Sequence, residues 1–67
     1  MKRECPVTLH QQYEITIRSL GHSGEGVGSK DDFTVFVPGA LVGEVVLAKI
    51  TLVKKNYAVG SLIRVIV

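Results

Sequence analysis

Leu20-Gly21-His22-Ser23-Gly24-Glu25-Gly26-Val27-Gly28-Ser29-Lys30 decides how the rest of the chain reads. Gly21, Gly24, Gly26 and Gly28 fall within eight residues. Glycine at this density marks tight turns, positive φ or close backbone approach, and it speaks against a helix. Between Gly21 and Lys30, Val27 is the only large apolar side chain. A short, strongly bent strand is expected over Gly26–Ser29. A polar turn at Lys30-Asp31-Asp32 follows it.

Working outward, Tyr13, Ile15 and Ile17 alternate with Glu14, Thr16 and Arg18. That is the period of a half-buried strand, expected over Tyr13–Leu20. Leu20 breaks the alternation, and a bulge near Ser19 would return it to the core side. On the other flank, Phe33–Val37 is rich in aromatic and β-branched residues and reads as a strand. Pro38-Gly39 ends it. Ala40-Leu41-Val42 is expected to form one helical turn closed by Gly43. Glu44–Val53 is a long strand candidate, with Val46, Ala48 and Ile50 inward because Lys49 fits better outward. Lys54-Lys55-Asn56 is a short basic turn. Tyr57–Val67 is the last strand, and its Ala58, Gly60 and Leu62 suggest crowding at a barrel corner. Residues 1–12, of mixed polarity, are expected to be loose, and residues 13–67 to form the domain.

Five strands with glycine-rich corners in 67 residues fit an all-β domain. An open sheet this small would leave two bare edges, and closure removes them. The expected fold is a small five-stranded antiparallel OB-like barrel, with an SH3-like barrel as the second choice. Ile15, Ile17, Val35, Val37, Val46, Ile50 and Leu62 are its expected core.

Composition narrows the function. The chain is too short for a Rossmann-type domain, a TIM barrel or a kinase. Its 46% hydrophobic and 21% charged residues belong to a globular protein. The net charge of +2 permits a nucleic-acid partner without demanding one. One Cys makes neither a disulfide framework nor a metal site, and Cys5 reads as a free thiol. The longest apolar run, Val45–Ala48, is far short of the ~20 residues of a membrane span. The start, MKRECPV, lacks the apolar stretch of a secretory signal, so the expected location is the cytoplasm. The glycine run fails the strict phosphate-loop pattern and misses G-x-G-x-x-G by one residue, and a strand follows it where a helix is needed. No carboxylate pair or nucleophile–base arrangement suggests catalysis.

The string Leu20–Gly28, followed by Val35-Phe36-Val37-Pro38-Gly39-Ala40-Leu41, Gly43-Glu44 and Lys54-Lys55-Asn56-Tyr57-Ala58, resembles the TRAM domain. The resemblance covers Tyr13 to about Ile66. It is strongest to the module at the front of bacterial RNA uracil-C5 methyltransferases. Val42 departs from it, standing where that group often has Pro. The resemblance implies a five-stranded OB-like barrel that binds RNA, ribosomal RNA in that group. It implies an adjoining catalytic domain that uses S-adenosylmethionine, a Cys nucleophile and often a four-Cys iron–sulfur cluster. None of that machinery is in this chain, so the chain alone is not expected to be an enzyme. TRAM domains also occur as small free-standing archaeal proteins. A free-standing RNA chaperone-like protein and a structural or protein-interaction barrel therefore stay open.

An RNA-binding barrel needs cations for phosphates and flat side chains for bases. Lys54, Lys55 and Tyr57 put a basic pair beside a ring. Arg18 and Lys30 add dispersed charge. Phe36 faces outward if Phe33, Val35 and Val37 face the core, and the opposite assignment is open too. His10 and His22 lie far apart and lack the partners of a metal site.

Overall fold

Alternation in the sequence becomes alternation in burial. The computed structural model describes residues 6–67, so Cys5 lies outside the described residues. Five strands follow one another: β1 (Gln12–Leu20), β2 (Gly26–Lys30), β3 (Phe33–Val37), β4 (Val45–Val53) and β5 (Tyr57–Val65). They close into a barrel in the order β1-β2-β3-β5-β4. The first half of β1 pairs with β4 and the second half with β2, and that sharing closes the cylinder. Four of the five pairings are antiparallel; β3 and β5 run parallel, with Thr34 opposite Tyr57 and Phe36 opposite Val59. The parallel pair arises because β4 intervenes between these strands in the chain, so no hairpin joins them.

Ile15, Ile17, Val35, Val37, Val46, Ala48, Ile50 and Ala58 fill the interior, with Val7 and Ala40 completing it. Leu62, expected among them, is only half-buried. It packs against the core from the rim, beside the turn at Gly39. Residues 6–11 are not loose. Val7 is 3% exposed, the His10 N–H donates to the Ile50 carbonyl at 2.7 Å, and the Ile50 N–H donates to the Gln11 carbonyl at 2.9 Å. This segment runs beside β4 and covers one end of the barrel.

The bulge in β1 lies between Ile17 and Ser19. It aligns Leu20 with Gly26, but Ala40 already occupies the space over Gly26. Leu20 therefore stays at the rim, 49% exposed. No helical turn forms at 40–42. Two β-turns replace it: the Ala40 N–H donates to the Val37 carbonyl at 3.2 Å, and the Glu44 N–H to the Leu41 carbonyl at 3.1 Å. Gly39 (φ 89°) and Gly43 (φ 92°) hold the third position of each, where positive φ favours glycine. At the β2–β3 hairpin, Asp31 (φ 51°) and Asp32 (φ 69°) both turn left-handed, as a tight two-residue hairpin requires.

Candidate nucleic-acid interface

Because Val35 and Val37 point inward on β3, Phe36 lies on the outer wall. Ala58 and Gly60 point inward on β5, which puts Tyr57 and Val59 on the same wall. The parallel register then brings the two rings together. Their centroids are 5.3 Å apart and their planes cross at 82°, an edge-to-face pair of the favoured kind. The apolar surface extends sideways, since Val27 pairs with Phe36, Phe36 with Val59, and Val59 with Leu52. One row thus crosses four strands, β2-β3-β5-β4.

Above this row lies an open groove of about 580 Å³, with Phe36, Tyr57 and Val59 on its floor. Pro38 and Gly39 form one wall, and Ser23, Gly24 and Glu25 another. The second wall is a built loop. The Gly21 N–H donates to the Glu25 carbonyl at 2.8 Å, and the Gly24 N–H to the Gly21 carbonyl at 3.1 Å. The Glu25 carboxylate accepts the Ser23 N–H at 3.0 Å and lies against the bare Cα of Gly21. A side chain at Gly21 would push it away.

The cations divide by position. The Lys54 N–H donates to the Tyr57 carbonyl at 2.7 Å, which closes the β4–β5 turn that carries the exposed Lys54 and Lys55 into Tyr57. Lys30 ends β2 at the same end of the barrel, because β3 and β5 start side by side. Its Nζ lies 5.8 Å from the centre of the Tyr13 ring, a cation–π contact away from the groove. Arg18 is the extra residue of the β1 bulge, exposed near the opposite end. The fold therefore joins Phe36 with Tyr57 and keeps Lys54 and Lys55 on the turn that leads into Tyr57. It leaves Lys30 at the edge and Arg18 apart. Val59, Val27 and the 23–25 loop were not foreseen as part of this surface. Strand alternation on β5 was the signal for Val59, whereas the loop wall needs the β1–β2 pairing to be seen. Among the described residues, no group of three or more His, Cys, Asp or Glu could hold a metal ion. No helix of the described residues is long and apolar enough to cross a membrane.

Comparison with known proteins agrees with this geometry. A family model described as the TRAM domain matches residues 6–63. A Clostridium tetani protein named an uncharacterized RNA methyltransferase is 46% identical over 66 residues, covering 98% of this chain. A Clostridium acetobutylicum protein named in the same way is 48% identical over 66 residues, also covering 98% of this chain. The chain spans only 14% of the length of each relative. The solution structure of a conserved Methanococcus maripaludis protein superimposes with a TM-score of 0.86 at 38% identity. That match covers 91% of this chain and 87% of the archaeal one.

Proposed function

The chain belongs to the TRAM domain family, and on that premise we propose that it is the RNA-recognition module at the front of an RNA methyltransferase. The observation that carries this reading is the Phe36–Tyr57 pair on the floor of an open groove, beside a turn bearing two lysines. Bases of a single strand stack on the rings, at about 1–3 kcal/mol per base. Lys54 and Lys55 neutralise phosphates of the same strand. The substrate is ribosomal RNA, and the adjoining domain methylates uracil at C5 in the cytoplasm.

In that enzyme S-adenosylmethionine supplies the methyl group. The residues of this barrel do not fit it, because the glycine run leads into strand β2 and the described residues form five strands with none of the strand–glycine–helix units on which an adenosine cofactor is held. They do not fit an iron–sulfur cluster either, since no ligand set is gathered among the described residues. Both groups belong to the adjoining domain. The barrel binds and orients RNA.

A second reading, a free-standing RNA chaperone-like protein, is favoured by one observation. The archaeal structure is a chain of which this one covers 87%, so barrels of this size stand alone. Both readings predict RNA binding by the isolated chain. The test is a fluorescence titration with ribosomal RNA fragments at several salt concentrations. Weak, salt-sensitive binding is the expected result. No binding at low salt overturns both readings and leaves a protein-interaction barrel.

A further inference from the structure

The large apolar side chains left exposed are not spread evenly over the barrel. Of the nine found among the described residues, Leu20, Leu41, Val42, Val65, Ile66 and Val67 lie on the end of β1, the 41–44 turn or the tail of β5, and Ile63 stands just before that tail, in the β5 bulge opposite Leu47 and Ala48. Leu41 is 60% exposed, Val42 55% and Leu20 49%, with Ile63 and Val65 at 47%. Backbone hydrogen bonds tie together the segments that carry them. The Gly43 N–H donates to the Ile17 carbonyl at 2.9 Å, and the Ile17 N–H to the Glu44 carbonyl at 2.8 Å. This ties the 41–44 turn to the last part of β1. On the other side of the same β4 start, the Ile66 N–H donates to the Val45 carbonyl at 2.7 Å, and Val65 pairs with Val46. The end of β1, the 41–44 turn and the tail of β5 thus form one rim. None of these exposed side chains lines the aromatic groove.

Water-exposed aliphatic surface gathered in one place marks an interaction site. RNA does not suit it, because the rim offers branched aliphatics where bases stack on rings. We propose that this rim is the docking face for the catalytic part of an RNA methyltransferase chain. The proposal rests on the reading given above. In the relatives all but 14% of the chain lies outside the matched segment, which supplies a partner held at high local concentration. Intrachain domain interfaces bury about 600–1,500 Å², and a rim of several aliphatic side chains on two strand ends and a turn is a suitable contribution. Docking there leaves the groove open. It also fixes the groove relative to the active site, so that captured RNA is aimed as well as tethered.

The test is a chimera in which this chain replaces the matched segment of the Clostridium tetani relative. Amide exchange is measured in the chimera and in the isolated chain. Docking slows exchange at residues 41–45 and 63–67 by about tenfold or more in the chimera. Leu41→Ser combined with Val42→Ser abolishes that slowing and leaves the RNA affinity of the isolated chain unchanged. Equal exchange in both proteins overturns the proposal. An isolated chain that is dimeric, with the rim already protected, overturns it in favour of a second copy. If the chimera does not fold, the labelled 67-residue chain is titrated with the remainder of the relative. Resonance shifts confined to the rim support docking, and their absence overturns it. Loss of the RNA-binding reading would show separately, as an isolated chain that binds no RNA.

Discussion

Phe36 and Tyr57 meet edge to face, 5.3 Å apart, across the only parallel strand pair among the described residues. Neither ring is needed to fill the core, which is built from Ile, Val and Ala side chains. In a domain of this size, aromatic area outside the core is stabilisation forgone, since burying such a ring contributes about 1.5–3 kcal/mol. The pairing recovers about 0.5–1.5 kcal/mol of it. The remaining ring surface is free for a ligand.

Tyr57→Ala removes one ring and half of the pair. RNA affinity falls by about 1–3 kcal/mol, the value of one stacked base. The dependence on salt stays as it was, because no charge is lost. Phe36→Ala behaves in the same way, and the double change is less than additive because the two rings touch. Titrations of the three variants at two salt concentrations check this. Unchanged affinity in all three variants removes the groove from the RNA surface.

Lys54→Ala combined with Lys55→Ala has the opposite signature. Two to four neutralised phosphates, about the number these side chains and their neighbours reach, give a log–log salt slope near −0.7 per phosphate. The double change flattens that slope by about 1.4 and weakens binding to all sequences alike. Lys30→Ala has the smaller effect, since its Nζ lies over Tyr13 and away from the groove. A titration series from low to moderate salt separates the two variants. An unaltered slope in the double variant moves the phosphate path elsewhere.

The sequence showed those parts of the molecule that depend on alternation. Ile15 and Ile17, Val35 and Val37, and Val46, Ala48 and Ile50 sit inside as their spacing required. Leu20 and Leu62 escaped that logic because they lie at barrel ends, where facing inward does not mean being covered. Ala40 fills the space over Gly26, and no period in the sequence announces that. Val7 plugs the other end from a segment without strand alternation. The basic turn ahead of Tyr57 was legible in Lys54-Lys55-Asn56-Tyr57. The meeting of Tyr57 with Phe36 was not, because it depends on a parallel register between strands separated by β4.

Ile17→Ala tests the core. Ile17 is 1% exposed, and a truncation there loses both transfer energy and packing, about 2–5 kcal/mol. Stabilities of about 5–15 kcal/mol are usual, and small domains lie at the low end. Chemical denaturation is expected to show a midpoint shifted strongly downward with an unchanged slope. A shift of less than 1 kcal/mol, well below the ~2–5 kcal/mol range for such truncations, means that the site collapses around the gap.

Gly28→Ala tests why the glycine run exists at all. Gly28 faces inward on β2 opposite Ile17, and β1 crosses it so closely that an added Cβ would run into the Thr16 carbonyl oxygen and the Ile15 Cγ2. The first of these is backbone, which cannot rotate aside. The two strands must separate, and overpacking of this kind costs about 1–3 kcal/mol or more. Gly24→Ala is the control. Nothing lies within 4 Å of its added Cβ, but its φ of +85° is left-handed, so it carries only the backbone penalty of roughly 1–2 kcal/mol. The two variants differ in what else they disturb. Gly28→Ala weakens the β1–β2 pairing, so exchange of the β1–β2 amides rises together with the loss of stability. Gly24→Ala disturbs the loop wall of the groove and alters RNA affinity at full occupancy of the folded state. Denaturation and amide exchange on the same samples distinguish them. A Gly28→Ala variant as stable as the parent would mean that the close approach of β1 to β2 does not constrain the barrel.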